Sequence, residues 1–127
     1  MNLLLDTHAL LWFVAGDGRL SRRARQAIEA PGTVNYVSMA SWWEMAVKLS
    51  LGKLELDDPL DVFLARRVDE GFRILPIQTE HLTPLVALPF HHRDPFDRLL
   101  VCQSVVESLP LCSGDENFSR YGIRVLW

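Results

Sequence analysis

Asn2-Leu3-Leu4-Leu5-Asp6-Thr7-His8 runs from an apolar stretch straight into an acid. Three successive leucines leave no polar alternation, so Asn2 to Leu5 reads as a strand covered on both faces, the pattern of a parallel sheet. Thr7 to Val14 then reads as a short helix closed by Gly16. Working outward, Ser21 caps a helix through Glu29, and Pro31-Gly32 breaks it. Val34 to Val37 reads as a second strand. Ser38 or Ser41 caps a helix to about Leu51, ended by Gly52. Asp58-Pro59 reads as an N-cap followed by proline at the first helical position, with Gly71 stopping that helix after Glu70. Arg73 to Ile77 reads as a third strand, and Thr79 caps a short helix ending near Val86. Asp94-Pro95 opens another helix to about Ser108. Leu109 to Cys112 and Gly122 to Leu126 complete a set of five strands. Strands alternating with helices predict an α/β fold with a parallel sheet between helical layers.

The 127 residues leave room for one domain, 1–127, and a hydrophobic share of 49% is enough to build its core. No apolar run approaches the ~20 residues of a membrane helix. The N-terminus lacks a basic segment and meets Asp6 too early for a secretion signal, so a cytoplasmic location is expected. Cys102 and Cys112 stand in apolar stretches without metal-binding spacing and read as buried, reduced thiols. A net charge of −3 is not that of a general nucleic-acid binder. Local patches decide binding, however, and neutralising a few acids with metal would make the remainder slightly positive.

In open parallel sheets ligands bind at the carboxyl ends of the strands. Asp6 ends the first strand. Glu44 lies in the second turn of the helix entered from the second strand. Asp97 lies in the first turn of the helix opened by Asp94-Pro95, and Asp115 follows the fourth strand. Each acid has an ordinary local explanation. Asp6 could cap a helix, Glu44 could pair with Lys48, Asp97 could join a capping box with Asp94, and Asp115 could cap the turn Glu116 to Ser119. Their convergence on one sheet edge is harder to explain locally. Carboxylates gathered in one pocket must take up protons or bind a cation. Oxygen ligands without His or Cys suit Mg²⁺ or Mn²⁺, and such a centre suits phosphodiester hydrolysis.

Four segments carry a family resemblance: Leu4-Leu5-Asp6-Thr7-His8, Ser41-Trp42-Trp43-Glu44-Met45-Ala46-Val47-Lys48, Asp94-Pro95-Phe96-Asp97-Arg98-Leu99-Leu100 and Ser113-Gly114-Asp115-Glu116-Asn117-Phe118. In this order they resemble PIN domains, and more narrowly the VapC-type toxins of toxin–antitoxin pairs. The resemblance implies a three-layer α/β/α sandwich with a five-stranded parallel sheet. It also implies a metal-dependent endoribonuclease that hydrolyses RNA with metal-activated water and is inhibited by a small cognate antitoxin. The catalytic and metal-binding acids would be Asp6, Glu44, Asp97 and Asp115. Thr7, Asp94 and Ser113 would stand beside them. Asp97 is preferred over Asp94 as the direct ligand because its helix position better faces the sheet edge.

Lys48, Arg93 and Arg98 are candidate RNA contacts, with His91 and His92 nearby. Arg19, Arg22, Arg23 and Arg25 form a second basic cluster, equally readable as a solvated helix face. At least one of Trp42 and Trp43 reads as core, and Trp43 shares a stripe with Val47 and Ser50. Expected partners are an RNA (transfer, ribosomal or messenger), the antitoxin and a second copy of the chain, with no membrane. A non-catalytic PIN-like scaffold is the main alternative. A Mg²⁺-binding receiver-type signalling domain is disfavoured because Asp6 is followed by Thr7-His8 rather than an acid, and the third strand ends in Gln78. A dehalogenase-type phosphatase is disfavoured by His8 where a second Asp would be needed.

Overall fold

Five short strands, β1 (Asn2–Leu5), β2 (Val34–Ser38), β3 (Arg73–Leu75), β4 (Leu111–Cys112) and β5 (Val125–Leu126), form one sheet in the order β3-β2-β1-β4-β5. Every pairing is parallel. The computed structural model describes residues 1–127. Leu4 lies level with Tyr36 and Leu111, and Leu5 lies level with Val37 and Cys112. Because side chains alternate across a strand, Leu3 and Leu5 enter one core and Leu4 the other. All three leucines are fully buried. Each contributes about 1.5–3 kcal/mol of burial free energy.

One core packs β1 against α1 (Thr7–Ala15), α2 (Arg22–Glu29), α3 (Met39–Ser50) and α4 (Leu60–Asp69), through Leu10, Ile28, Met45 and Phe63. The other lies under α6 (Pro95–Glu107), through Leu100, Val101 and Phe118. The result is the expected three-layer α/β/α sandwich. Helices start where side-chain oxygens take up orphan backbone N–H groups. Asp6 accepts from the Ala9 N–H, Ser21 from Ala24, Ser38 from Ala40, and Asp94 from Phe96. Gly16 ends α1 in the left-handed region at φ 64°, which glycine adopts without a Cβ clash.

Several local expectations shift. Pro59 occupies the cap position of α4 itself, and Asp58 instead pairs with Arg66 at 2.5 Å. Gln78, not Thr79, precedes α5 (Thr79–Leu82), its N–H donating to Nδ1 of buried His81 at 3.0 Å. The segment then tightens into a 3₁₀ turn over Pro84–Ala87. The third strand stops at Leu75 because Pro76 has no N–H for the ladder. The fourth and fifth strands pair over only two residues each, later than expected. In α3, Trp42 is the core residue and Trp43 is 54% exposed. Cys102 and Cys112 are buried and unpaired, as expected. No helix is long and apolar enough to cross a membrane.

Gln103 of α6 fixes that helix across the sheet's carboxyl edge. It accepts from the Ser38 hydroxyl at 2.5 Å and donates to the Pro76 carbonyl at 3.2 Å. Its helix therefore answers to the ends of two strands at once, which sets where the first turn of α6 points.

Candidate metal centre

The strand order reverses direction at β1, with β2 on one side and β4 on the other. Such a switch point leaves a crevice beyond the strand ends. Asp6 enters it directly from β1, its N–H bonded to the Cys112 carbonyl of β4 at 3.0 Å. Oδ1 accepts from the Ala9 N–H at 2.8 Å, so Asp6 is both a helix cap and a residue of the crevice. Burial raises its carboxyl above the usual range, against the opposing pull of the Ser113 hydroxyl. Ser113 also accepts the Asp115 N–H at 3.0 Å, tying the acid after β1 to the acid after β4.

Glu44 is buried, and both its oxygens are spoken for. The Thr7 hydroxyl donates to Oε1 at 2.6 Å and Lys48 Nζ to Oε2 at 2.7 Å. The ion pair expected within α3 is therefore present, but it is turned inward. Glu44 in turn holds the Lys48 ammonium above its ordinary range.

Asp94 caps α6 through the Phe96 and Asp97 N–H groups. That releases the Asp97 carboxyl, half-buried in the first turn, to face the crevice. Its pKa is pushed up to about 7, chiefly by burial and next by Asp94, with Glu44 and Asp6 adding and His92 opposing. Asp115 begins a 3₁₀ turn (Glu116–Tyr121) and accepts the Asn117 N–H at 2.9 Å through Oδ1. One donor atom each from His92, Asp97 and Asp115 lie within 4.8 Å of one another.

The centre therefore gathers more negative charge than its neighbours balance. A divalent cation would relieve this, and the carboxylate-rich donor set fits Mg²⁺ or Mn²⁺. Arg98 does not serve as expected. Its guanidinium is buried, donates to the carbonyls of Leu88 and Pro89 at 3.1 and 2.9 Å, and lies 3.8 Å from the Phe90 ring centroid. It fastens the segment before α6 and is not available to a phosphate. Arg93 stays exposed. In the second basic cluster, Arg19 pairs with Asp17 and Arg25 with Glu29, whereas Arg22 and Arg23 stay exposed. His92, named above only beside the candidate RNA contacts, stands at the site against Asp115, and Tyr121, which no local pattern marks, stands behind it.

A family model described as the PIN domain matches residues 3–124. The chain belongs to the PIN-domain family. It is 32% identical over 121 residues to Ribonuclease VapC22 of Mycobacterium tuberculosis, covering 94% of this chain and 92% of that protein, which places it with the VapC type. VapBC2 from Rickettsia felis, solved bound to a promoter DNA fragment, superposes with a TM-score of 0.71 at 12% identity, over 98% of this chain and 97% of that one. FitAcB from Neisseria gonorrhoeae gives a TM-score of 0.67 at 17% identity, over 98% and 96% of the two chains. At these identities the structural likeness concerns the fold alone.

In this PIN domain the loop carrying Asp115 is shaped by a close approach. A Cβ on Gly114 would stand 2.9 Å from Cε2 and Cζ2 of Trp127, closer than carbon atoms pack. The Trp127 ring is itself backed by Trp12 at 5.9 Å between centroids. Gly114→Ala is expected to cost about 1–3 kcal/mol in denaturant unfolding, the range for overpacking. Trp127→Ala in the same chain should recover most of that loss, a coupling that a double-mutant cycle measures. Additive losses would show that the glycine serves some other need.

Proposed function

We propose that this chain is a divalent-metal-dependent endoribonuclease, the toxin of a VapBC-type pair, acting as a single domain over residues 1–127. What supports the reading is the crowding of acids beyond the switch point of the sheet: Asp97 is held at about 7 by burial and like charge, Glu44 and Asp6 included, and its carboxyl lies within 4.8 Å of donor atoms of Asp115 and His92. The family and the similarity to Ribonuclease VapC22 point the same way.

Asp6, Asp97 and Asp115 would hold the cation, with Glu44 either joining them or acting from beside it. When bound, Mg²⁺ or Mn²⁺ supplies Lewis-acid stabilisation at the scissile phosphate and makes water a better nucleophile at neutral pH. Thr7 and Lys48 hold the Glu44 carboxylate in place, one on each oxygen. Ser113 keeps Asp115 in register with Asp6. Asp94 supports Asp97 by taking over the helix cap. Arg93 and Lys48 would orient the flanking RNA phosphates, a positioning role that carries no sequence information. Water as the nucleophile leaves 5′-phosphate and 3′-hydroxyl ends. It does not use the 2′-OH, so DNA must be excluded by contacts elsewhere.

A groove of ≈ 570 Å³ begins beside Thr7 and Lys48 and runs along α1 and α4 over Leu11, Trp12, Leu54, Leu56 and Phe63. Its apolar floor suits a segment of the cognate antitoxin, which would then lie against the catalytic edge. A homodimer belongs to the same proposal. Two reduced, buried thiols fit a cytoplasmic setting.

The test is incubation of antitoxin-free protein with total cellular RNA and a panel of transfer RNAs in Mg²⁺, Mn²⁺ or EDTA, beside Asp6→Asn. Discrete fragments that require metal and disappear in Asp6→Asn are expected. Cleavage persisting in EDTA and in the variant would overturn the carboxylate mechanism. Folded protein that cuts nothing in either metal would turn the reading to a binding scaffold.

A further inference from the structure

His92 sits at the edge of the acid cluster with its side chain only 7% exposed. Its ring cannot swing freely. It stacks on Tyr121 at 5.6 Å and 11° between planes, and leans on buried Phe118 at 4.4 Å. Nδ1 lies 3.0 Å from the Tyr121 hydroxyl, and Nε2 lies 2.8 Å from Asp115 Oδ2. The other nitrogen is therefore anchored while Nε2 faces the carboxylates.

That arrangement is how a metal-binding imidazole is usually held, one nitrogen fixed by a hydrogen-bonding neighbour and the other presented to the ion. Without an ion Nε2–H donates to Asp115 Oδ2; because the Tyr121 hydroxyl can accept as well as donate, the ring proton can sit on Nδ1 instead and leave the Nε2 lone pair to a cation. The spacing also fits. Donors about 2.1 Å from one cation stand about 3 Å apart when adjacent and about 4 Å apart when opposed. The donor atoms of His92, Asp97 and Asp115 lie within 4.8 Å of one another, close enough to converge with small side-chain movements.

We infer that His92 Nε2 is a donor to the metal, joining Asp97 and Asp115, so that this centre carries one nitrogen among its oxygens. The inference rests on the metal-centre reading above and deepens it. A nitrogen donor contributes little to Mg²⁺, which holds oxygen ligands and water by preference, and more to Mn²⁺ and the later divalent ions. His92 thus biases the site toward Mn²⁺. If it did no more than hydrogen-bond Asp115, it would leave the ratio of the two affinities unchanged.

The experiment uses the full chain with Mn²⁺ alone, read by pulsed electron paramagnetic resonance, and with Mn²⁺ or Mg²⁺ by calorimetry. Wild-type protein should show ¹⁴N modulation on bound Mn²⁺, replaced by the ¹⁵N pattern when only histidine is ¹⁵N-labelled. His92→Gln should lose the modulation and weaken Mn²⁺ binding about tenfold or more, with Mg²⁺ affinity changed much less. His8→Gln and His91→Gln should keep the signal. Mn²⁺ binding that needs Asp97 yet shows no nitrogen coupling, or equal losses for both ions in His92→Gln, would overturn the inference and leave the carboxylate centre standing. Wild type that binds Mn²⁺ no better than Asp97→Asn would overturn the centre, and the inference with it. The labelled wild-type measurement decides the point even if His92→Gln fails to fold.

Discussion

Asp97→Asn is expected to lower RNA cleavage by about a thousandfold, the scale of losing several kcal/mol of transition-state charge stabilisation. The same change should make the metal-free protein more stable at pH 8. At that pH the Asp97 carboxyl is ionised in a place where burial, Asp94, Glu44 and Asp6 all disfavour its charge. Asparagine has the same shape and no charge to bury. The rival view, that Asp97 is a helix-capping acid, predicts the opposite sign, because removing a negative charge from a helix N-terminus costs about 0.3–1 kcal/mol. Geometry argues against that view, since Asp94 already holds the Asp97 N–H and caps α6. Cleavage assays and thermal unfolding in EDTA therefore test the residue twice. A variant that still cleaves RNA and is less stable at pH 8 would return Asp97 to a purely structural role.

The parallel sheet was legible in Leu3-Leu4-Leu5 because burial on both faces erases polar alternation, a signal carried by neighbours in sequence. Helix starts were legible for the same reason. Ser21 and Asp94 act on N–H groups two or three residues away. The helix position of Asp97 is local information too: Leu100, Val101 and Ser104, three, four and seven residues on, are buried on the same face. The errors arise where the deciding partner is distant. Arg98 reads as a surface cation because its guanidinium is charged, yet it is used up by carbonyls nine and ten residues upstream. The core tryptophan expected in α3 is present as Trp42, but spacing alone did not choose it over Trp43, because the buried face of α3 runs through Ser41, Trp42, Glu44 and Met45. That face is set by the sheet beneath and not by apolar count. His92 is defined by Asp115 and Tyr121, 23 and 29 residues later, so nothing beside it in the chain announces its role.

The metal-free protein is expected to lose stability as pH rises from about 5 to 8, the reverse of the usual acid side of a stability curve. The folded-state pKa of Asp97 is about 7 against an ordinary 3.8. Between those values the folded chain keeps a proton that the unfolded chain has released. Stability therefore falls with rising pH across that window and levels off above about 7. Burial raises Asp6 in the same direction and adds to the slope. Lys48 opposes only in part, because its ammonium is already engaged by Glu44 and stays charged throughout. His92 pulls the Asp97 pKa down, but burial of the carboxyl and Asp94 outweigh it. The unfolding midpoint in EDTA should drop by roughly 5 °C between pH 5 and pH 8. Mn²⁺ or Mg²⁺ at a hundred times its dissociation constant should add about 2.7 kcal/mol at pH 8 and much less at pH 5, where protons compete for the same carboxylates. Asp97→Asn should flatten the EDTA curve and abolish most of the metal effect. A midpoint that climbs between pH 5 and 8 in EDTA would mean that Lys48 and the other neighbours already neutralise the cluster. The case for a cation at this centre would then lose its electrostatic basis.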